Sequence, residues 1–456
     1  MWQHVGQAVA AERKLAGLSQ RQLADRAAYS LSMVKAVEQG REVASPGFVS
    51  AVAKAMRITP EQLTGAPFDD GKPLSDAVNG LSTLLAEGRF ARAEEPVQLP
   101  RIAAELTTAQ ELYRSDRTRQ TLEVLPGIIR RLHGSVRELS GDERARAYTL
   151  LASAYLLAEW SARRTGHLML ALPALDLADS YASLGDDPNY IAFSALARAR
   201  VLTHYGESHV AAQLIDSAIA AADGTRSGMV LAGYSHLAGA INEARKLDYS
   251  AAADHVRAAR EFAARTGETD LYMTAFGPLN VEIHAHAVEL EAGDPHRAAL
   301  EGARLTYGSA AAPTRVAHHW HDNARAWLMA GKPDRALAAL NKARAAAPQQ
   351  TRLHPSVRET VYGIASAQRR QSDSLLGFAH WLGATLYTRY TRSNGNLEWF
   401  GSLIRSRTRA PHQPEPEPPD PVLARMVPMI ICKIPATEPT YSTVFLRLLL
   451  IADCST

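Results

Sequence analysis

Apolar residues fall every three or four positions over residues 4–65, broken at short intervals by polar clusters. That spacing lines up one face of an α-helix. Helix-start signals sit at the breaks. Ser19 precedes Gln22 at capping-box spacing, Ser30 stands before an amphipathic stretch, Ser45 is followed by Pro46, and Thr59-Pro60-Glu61-Gln62 combines both devices. Gly17, Gly40 and Gly65 supply stops. The pattern predicts five short helices, at 4–16, 20–27, 31–39, 46–56 and 60–64. Their predicted core is Val5, Val9, Leu15, Leu18, Leu23, Ala24, Ala27, Val34, Val37, Val49, Val52, Ala53, Ile58 and Leu63.

Residues 66–100 change character. A turn-rich stretch leads to one amphipathic helix carrying Leu74, Val78, Leu81, Leu84 and Leu85, then to the proline-containing "AEEPVQLP". This reads as a linker whose helix packs on either neighbour or serves dimerisation. From 101 to 383 the chain is alanine-rich and helical, with turns at regular intervals. In the clearest unit, Trp320, Ala324, Trp327, Gly331, Ala336, Leu340, Ala343 and Pro348 have the spacing of a tetratricopeptide repeat. The same frame places an alanine of the second helix at Ala171, Ala211, Ala251, Ala298 and Ala336, and the turn at Gly166, Gly206, Lys246, Gly293 and Gly331. A second small position follows at Ala178, Ala218, Ala258 and Ala343, with Leu305 in the fourth unit. Residues 384–456 lose the pattern. They run proline-rich and then apolar, and read as a poorly ordered tail.

Composition narrows the function. With 46% hydrophobic and 21% charged residues the profile is that of a globular protein. The net charge is only +3, so nucleic-acid binding needs a local basic face. Cys432 and Cys454 lie in the tail, which argues against a disulfide framework and for a cytoplasmic protein. There is no signal-peptide pattern and no apolar run long enough to span a membrane. Residues 1–65 carry eight basic and five acidic side chains, hence +3.

The second and third predicted helices, "SQRQLADRAAYSLSMVKAVEQG", closely resemble the Cro/C1-type (XRE) helix-turn-helix family. The resemblance rests on Gly17-Leu18-Ser19-Gln20, Leu23-Ala24, Ser30, Val34 and Val37-Glu38-Gln39-Gly40. It implies a five-helix, lambda-repressor-like domain over 1–65 whose second motif helix enters the major groove of double-stranded operator DNA. Carried over by position, Gln20 contacts phosphate, and Leu31, Ser32, Met33 and Lys35 face the groove. Gln22 and Arg41 complete the DNA-binding set, and Arg13 with Glu38 forms a structural ion pair. Leu31 stands where the family often has a polar residue, so base reading falls mainly to Ser32 and Lys35. The whole of 4–383 resembles actinobacterial regulators that join this domain to a TPR-like one, and the closing hairpin at 353–383 adds to that likeness.

The overall expectation is an all-α chain, a helix-turn-helix domain followed by a TPR-like α-solenoid. The repeat frame turns Trp160, Arg163, Arg164, Leu196, Arg200, His204, His236, Ala240, Glu243, Asn280, Ile283, Ala287, His318, His321 and Arg325 inward. Basic groups and histidines outnumber acids there, which suits an anionic ligand or peptide; regulators of this architecture bind signalling peptides on that face. The histidines of "HHWH" (318–321) read as surface or groove residues and not as a metal site, because no cysteine or suitably spaced carboxylate joins them. No phosphate-binding, dinucleotide or nucleophile-elbow motif is present, so neither cofactor nor catalysis is expected. The reading is therefore a homodimeric, ligand-sensing transcription regulator. Its rival is a repeat scaffold whose first domain docks protein instead of DNA.

Overall fold

The computed structural model describes residues 4–384 and 386, apart from 69, 70, 293, 309, 310 and 369–371. Almost the whole tail expectation, both cysteines and Gly293 thus lie outside the described residues. No described helix is long and apolar enough to cross a membrane.

Local capping shapes the first five helices. α1 (Val5–Leu15) ends where Gly17 takes a left-handed φ of 67° and Leu18 N–H returns to the Arg13 carbonyl. α2 (Gln20–Ala27) opens on a reciprocal box: Ser19 Oγ accepts from Gln22 N–H at 3.1 Å and Gln22 Oε1 accepts from Ser19 N–H at 2.8 Å. Ser30 Oγ caps α3 (Leu31–Glu38) through Met33 N–H, and Ser45 Oγ caps α4 (Pro46–Met56) through Phe48 N–H. α5 (Pro60–Thr64) follows Thr59, whose N–H donates to Gln62 Oε1. These caps satisfy backbone donors that a helix start leaves orphaned.

The five helices share one apolar cluster that includes Val5, Val9, Leu23, Val34, Val37, Phe48, Val52 and Leu63. Leu15, expected inside, is 79% exposed. The chain reverses just after it, and Leu18 returns to the core in its place. Ile58 is only half-buried, while Ala8, Ala44, Phe48 and Met56 join the core without having been expected there.

α6 (Lys72–Glu87) packs on the following helices, not on the first five. Six helix pairs come next. They are α7 (Leu99–Arg114) with α8 (Thr118–Glu138), α9 (Gly141–Arg164) with α10 (Leu168–Ala182), and α11 (Asn189–His204) with α12 (Ser208–Ala220). They continue with α13 (Arg226–Arg245) and α14 (Tyr249–Thr266), α15 (Pro278–Glu291) and α16 (Pro295–Gly302), and α17 (Pro313–Met329) and α18 (Pro333–Ala346). Short α19 (Pro348–Leu353) leads to α20 (Pro355–Ala367) and α21 (Asp373–Leu382). Each pair touches the next, and the first helices of successive pairs form a continuous row from α7 through α17. The result is an all-α chain with a solenoid-like array.

The repeat frame holds at Ala171, Ala178, Ala211, Ala218, Ala298, Ala336 and Ala343, all buried. It slips by one residue in α14. The buried alanines there are Ala252 and Ala259, not Ala251 and Ala258. The cause is the preceding turn: Leu247, not Lys246, takes the left-handed conformation (φ 66°) that glycine takes at 166, 206 and 331. Leu305 falls beyond the end of α16 and has no place in that helix.

The first five helices dock on the array along its turns. Ser50 Oγ donates to the His204 carbonyl at 2.7 Å, and Lys54 Nζ donates to the Gly206 carbonyl and to Glu207 Oε2, both at 3.0 Å. Val43 and Leu328 both crowd against Gly363. Val5 N–H donates to Glu359 Oε1 at 3.1 Å, so α20 closes the start of α1. The docked surface belongs to α4, α5 and the beginning of α1.

Candidate functional site

The exposed surface left by this docking is the α2–α3 side. Arg13 is buried and grips Glu38 with two bonds, Nε to Oε1 at 2.6 Å and Nη2 to Oε2 at 2.9 Å; its third, from Nη1, reaches the Leu18 carbonyl. Hydrogen bonding to Glu38 raises the guanidinium above its ordinary value against the opposing effect of burial. The pair ties α1 to α3. Gln20 joins it, its amide donating to Glu38 Oε2 at 2.8 Å. An amide nitrogen has two protons, so Gln20 retains one for a contact outside.

Ser32, Lys35 and Arg41 are exposed along the outer side of α3 and its C-terminal turn. Ser32 Oγ shares a 2.9 Å bond with Ser30 Oγ. Leu31 and Met33 do not project fully outward: both are half-buried against the apolar cluster. Gln22 Oε1 is engaged by its cap, and its exposed amide nitrogen remains available. Arg21 and Arg26 are exposed on α2 and were not singled out in the sequence because they match no motif position; Gln39, a motif position not assigned to DNA, is exposed at the end of α3.

This arrangement of α2, turn and α3 agrees with comparison to known families. Residues 4–64 match the model of a helix-turn-helix domain. Neither the curated proteins nor the solved structures offer a match to the chain. The helix-turn-helix domain marks the protein as a DNA-binding regulator in outline.

The inward candidates of the array divide into groups. Arg163, Arg200 and His318 gather with Tyr113, Tyr234, His284 and Arg315, all contributed by the row of first helices. Arg200 and Arg315 both donate to the Tyr234 hydroxyl, Arg315 at 3.4 Å. Burial pushes this phenol up, but the charges of Arg200, Arg315 and Arg163 outweigh it and bring it down to about 8. Arg164 lies over the Tyr113 ring, 3.4 Å from its centroid, and burial lowers its guanidinium to about 10. Trp160 packs beside Tyr113. Glu159 holds Arg163 at 2.8 Å. The group is strongly cationic, and Tyr234 and Arg315, its centre, carried no repeat-frame signal.

Other candidates do not join that group. His204 sits at the domain contact, where Nε2 pairs with Glu61 Oε1 at 3.1 Å. His236 faces its own hairpin partner: its Nδ1 lies 2.9 Å from that of His255, and its ring stacks on Phe262. Glu243 is buried and bonded to Lys246 and Asn242. Asn280 is bonded to the Thr274 carbonyl, and Ile283 is simply buried. Arg325 is buried against Glu291. Glu291 and Arg245 in turn stand around Gly47 with the Tyr29 hydroxyl, just ahead of α3. Burial, then the charge of Glu291, pushes Tyr29 up to about 12. Of the histidines at 318–321, expected on the surface or in the groove, His318 is half-exposed but His319 and His321 are not on the surface. His319 and His321 are fully buried, because α17 is covered on two sides, by α16 and by α19.

Proposed function

We propose that the protein is a sequence-specific transcription regulator that acts on operator DNA in the cytoplasm, as a homodimer, and whose TPR-like array receives an anionic ligand. The observation that carries the DNA part is the helix-turn-helix match together with the free outer face of α3. Ser32, Lys35 and Arg41 stay accessible while α4, α5 and the start of α1 are occupied by the array. In this reading α2 crosses the backbone, with Gln20 at its N-terminus near phosphate. Ser32 and Lys35 meet base edges. Dimerisation supplies the second half-site, since one such domain covers too little DNA for tight specific binding.

The cationic group around Tyr234 supports the ligand part. Three arginines, Arg163, Arg200 and Arg315, lie near one phenol, and Glu159 is bonded to Arg163 alone, so a carboxylate or phosphate would relieve their mutual repulsion. Such a ligand acts on DNA binding only if it favours one docking of the first domain over another. The chain Arg325, Glu291, Arg245 and Tyr29 offers a physical route between array and motif.

The test is binding of the full chain to DNA upstream of its own gene across salt concentrations. Affinity should fall with log salt by about 0.9 per phosphate contact, and Lys35→Ala should weaken it about tenfold, near 1.4 kcal/mol. A salt-independent interaction, or an unchanged Lys35→Ala, defeats the reading in favour of a protein-docking scaffold.

A further inference from the structure

A second cluster shares His318 with the group around Tyr234 and adds a histidine remote in sequence. His318, His321 and His354 each offer a ring nitrogen, and these three atoms lie within 4.8 Å of one another. His318 and His321 share one face of α17, three residues apart, and His354 comes from the start of α20. Their rings are 4.8–6.3 Å apart between centroids. Elsewhere among the described residues histidines meet in twos, as His236 with His255 and His286 with His319.

The hydrogen bonds leave lone pairs for a ligand. His321 is 1% exposed; its Nε2 meets Thr351 Oγ1 at 3.0 Å, while its Nδ1 is buried with no partner among the described residues. His354 Nδ1 meets Ser356 Oγ at 2.8 Å, which leaves Nε2. A ring held at one nitrogen by a hydroxyl, with the other nitrogen bare, is how ligating histidines are oriented. Asp322 Oδ2 stands 3.8 Å from His318 Nε2, on the next turn of the same helix. His318 is half-exposed and gives an ion a way in.

We propose that His318, His321 and His354 bind a zinc-class divalent ion, with a water completing the four-coordinate site. Imidazole suits zinc and its neighbours, and a tetrahedral site with bonds of about 2.0–2.1 Å needs nitrogens about 3.4 Å apart, a modest closure of the present cluster. Such an ion bridges α17 and the start of α20. Its effect is structural. It pins α17 to α20, the helices that present Leu328 and Gly363 to Val43 and Glu359 to Val5.

Chelator-treated full-length protein, titrated with Co²⁺ and then Zn²⁺, decides the matter. The expected result is one ion per chain with the visible absorption of four-coordinate cobalt, displaced by zinc. His354→Asn should abolish it, and Thr351→Val should weaken it at least about tenfold. Asparagine is itself a good N-cap for α20, and a helical melting curve matching the unaltered chain verifies the fold. His296→Asn, exposed on α16, and the double change Cys432→Ser with Cys454→Ser should leave binding intact. Absence of bound metal at micromolar concentration, retention of full affinity in His354→Asn, or loss only in the cysteine variant overturns the proposal.

Discussion

Arg13 and Glu38 tie α3 to α1 beside its apolar contacts. Both are nearly enclosed, with 10% and 6% of their side chains exposed. Removing one partner of such a pair leaves a buried charge unpaired, whereas replacing both by apolar groups costs little. Arg13→Ala should therefore lower the stability of the helix-turn-helix domain by about 3–5 kcal/mol, and Arg13→Met with Glu38→Leu by much less. Urea denaturation of the three proteins checks this, and equal losses in single and double variants would contradict it. The pair's residues were legible because they occupy motif positions. So were the caps, since Ser19, Ser30, Ser45 and Thr59 act on backbone groups within three residues. The Tyr234 group was not legible, since its members come from six helices and only the fold brings them together.

At the scale of elements, helix spacing turns on individual small residues. A Cβ on Gly6 would lie 1.9 Å from the Val37 carbonyl oxygen, so α1 rests directly on α3 there. Gly80 in α6 has nothing within 4 Å of the same position. Alanine gains up to about 1 kcal/mol over glycine inside a helix, while overpacking a backbone contact costs about 1–3 kcal/mol or more. The clash is severe enough to win at the first site. Gly6→Ala should destabilise the chain and Gly80→Ala should stabilise it, measured as opposite shifts in thermal midpoint. The two glycines look alike in sequence. The slip of one residue in α14 was hidden for a related reason. A leucine in the left-handed turn conformation carries no mark, whereas the glycines at 166, 206 and 331 announce theirs.

For the whole molecule the decisive feature is the docking of the first five helices across the turns of the array. It was invisible beforehand, because Ser50 and Lys54 bind carbonyl oxygens that any residue could supply. Its pH response follows from Glu359. Burial raises this carboxyl from the ordinary 4.5 to about 7, against the Val5 N–H bond that lowers it. The docked state thus holds a proton that the undocked state has lost between these values. Docking is fully favoured below pH 4.5, weakens as pH rises towards 7, and changes no further above it, by about 3 kcal/mol in all. Hydrogen exchange at the start of α1 should quicken from pH 5 to 7 beyond its intrinsic rise, and Glu359→Gln should remove the excess; an identical profile in that variant would exclude the carboxyl as its source. The same bond has a consequence in time. Its partners are 354 residues apart in the chain. At about 5–20 residues per second of synthesis, the nascent helix-turn-helix domain is complete roughly 15–60 s before Glu359 exists to receive it. For that interval the helix-turn-helix domain must stand on its own Arg13–Glu38 lock and apolar core, without the contact from α20 that later closes the start of α1.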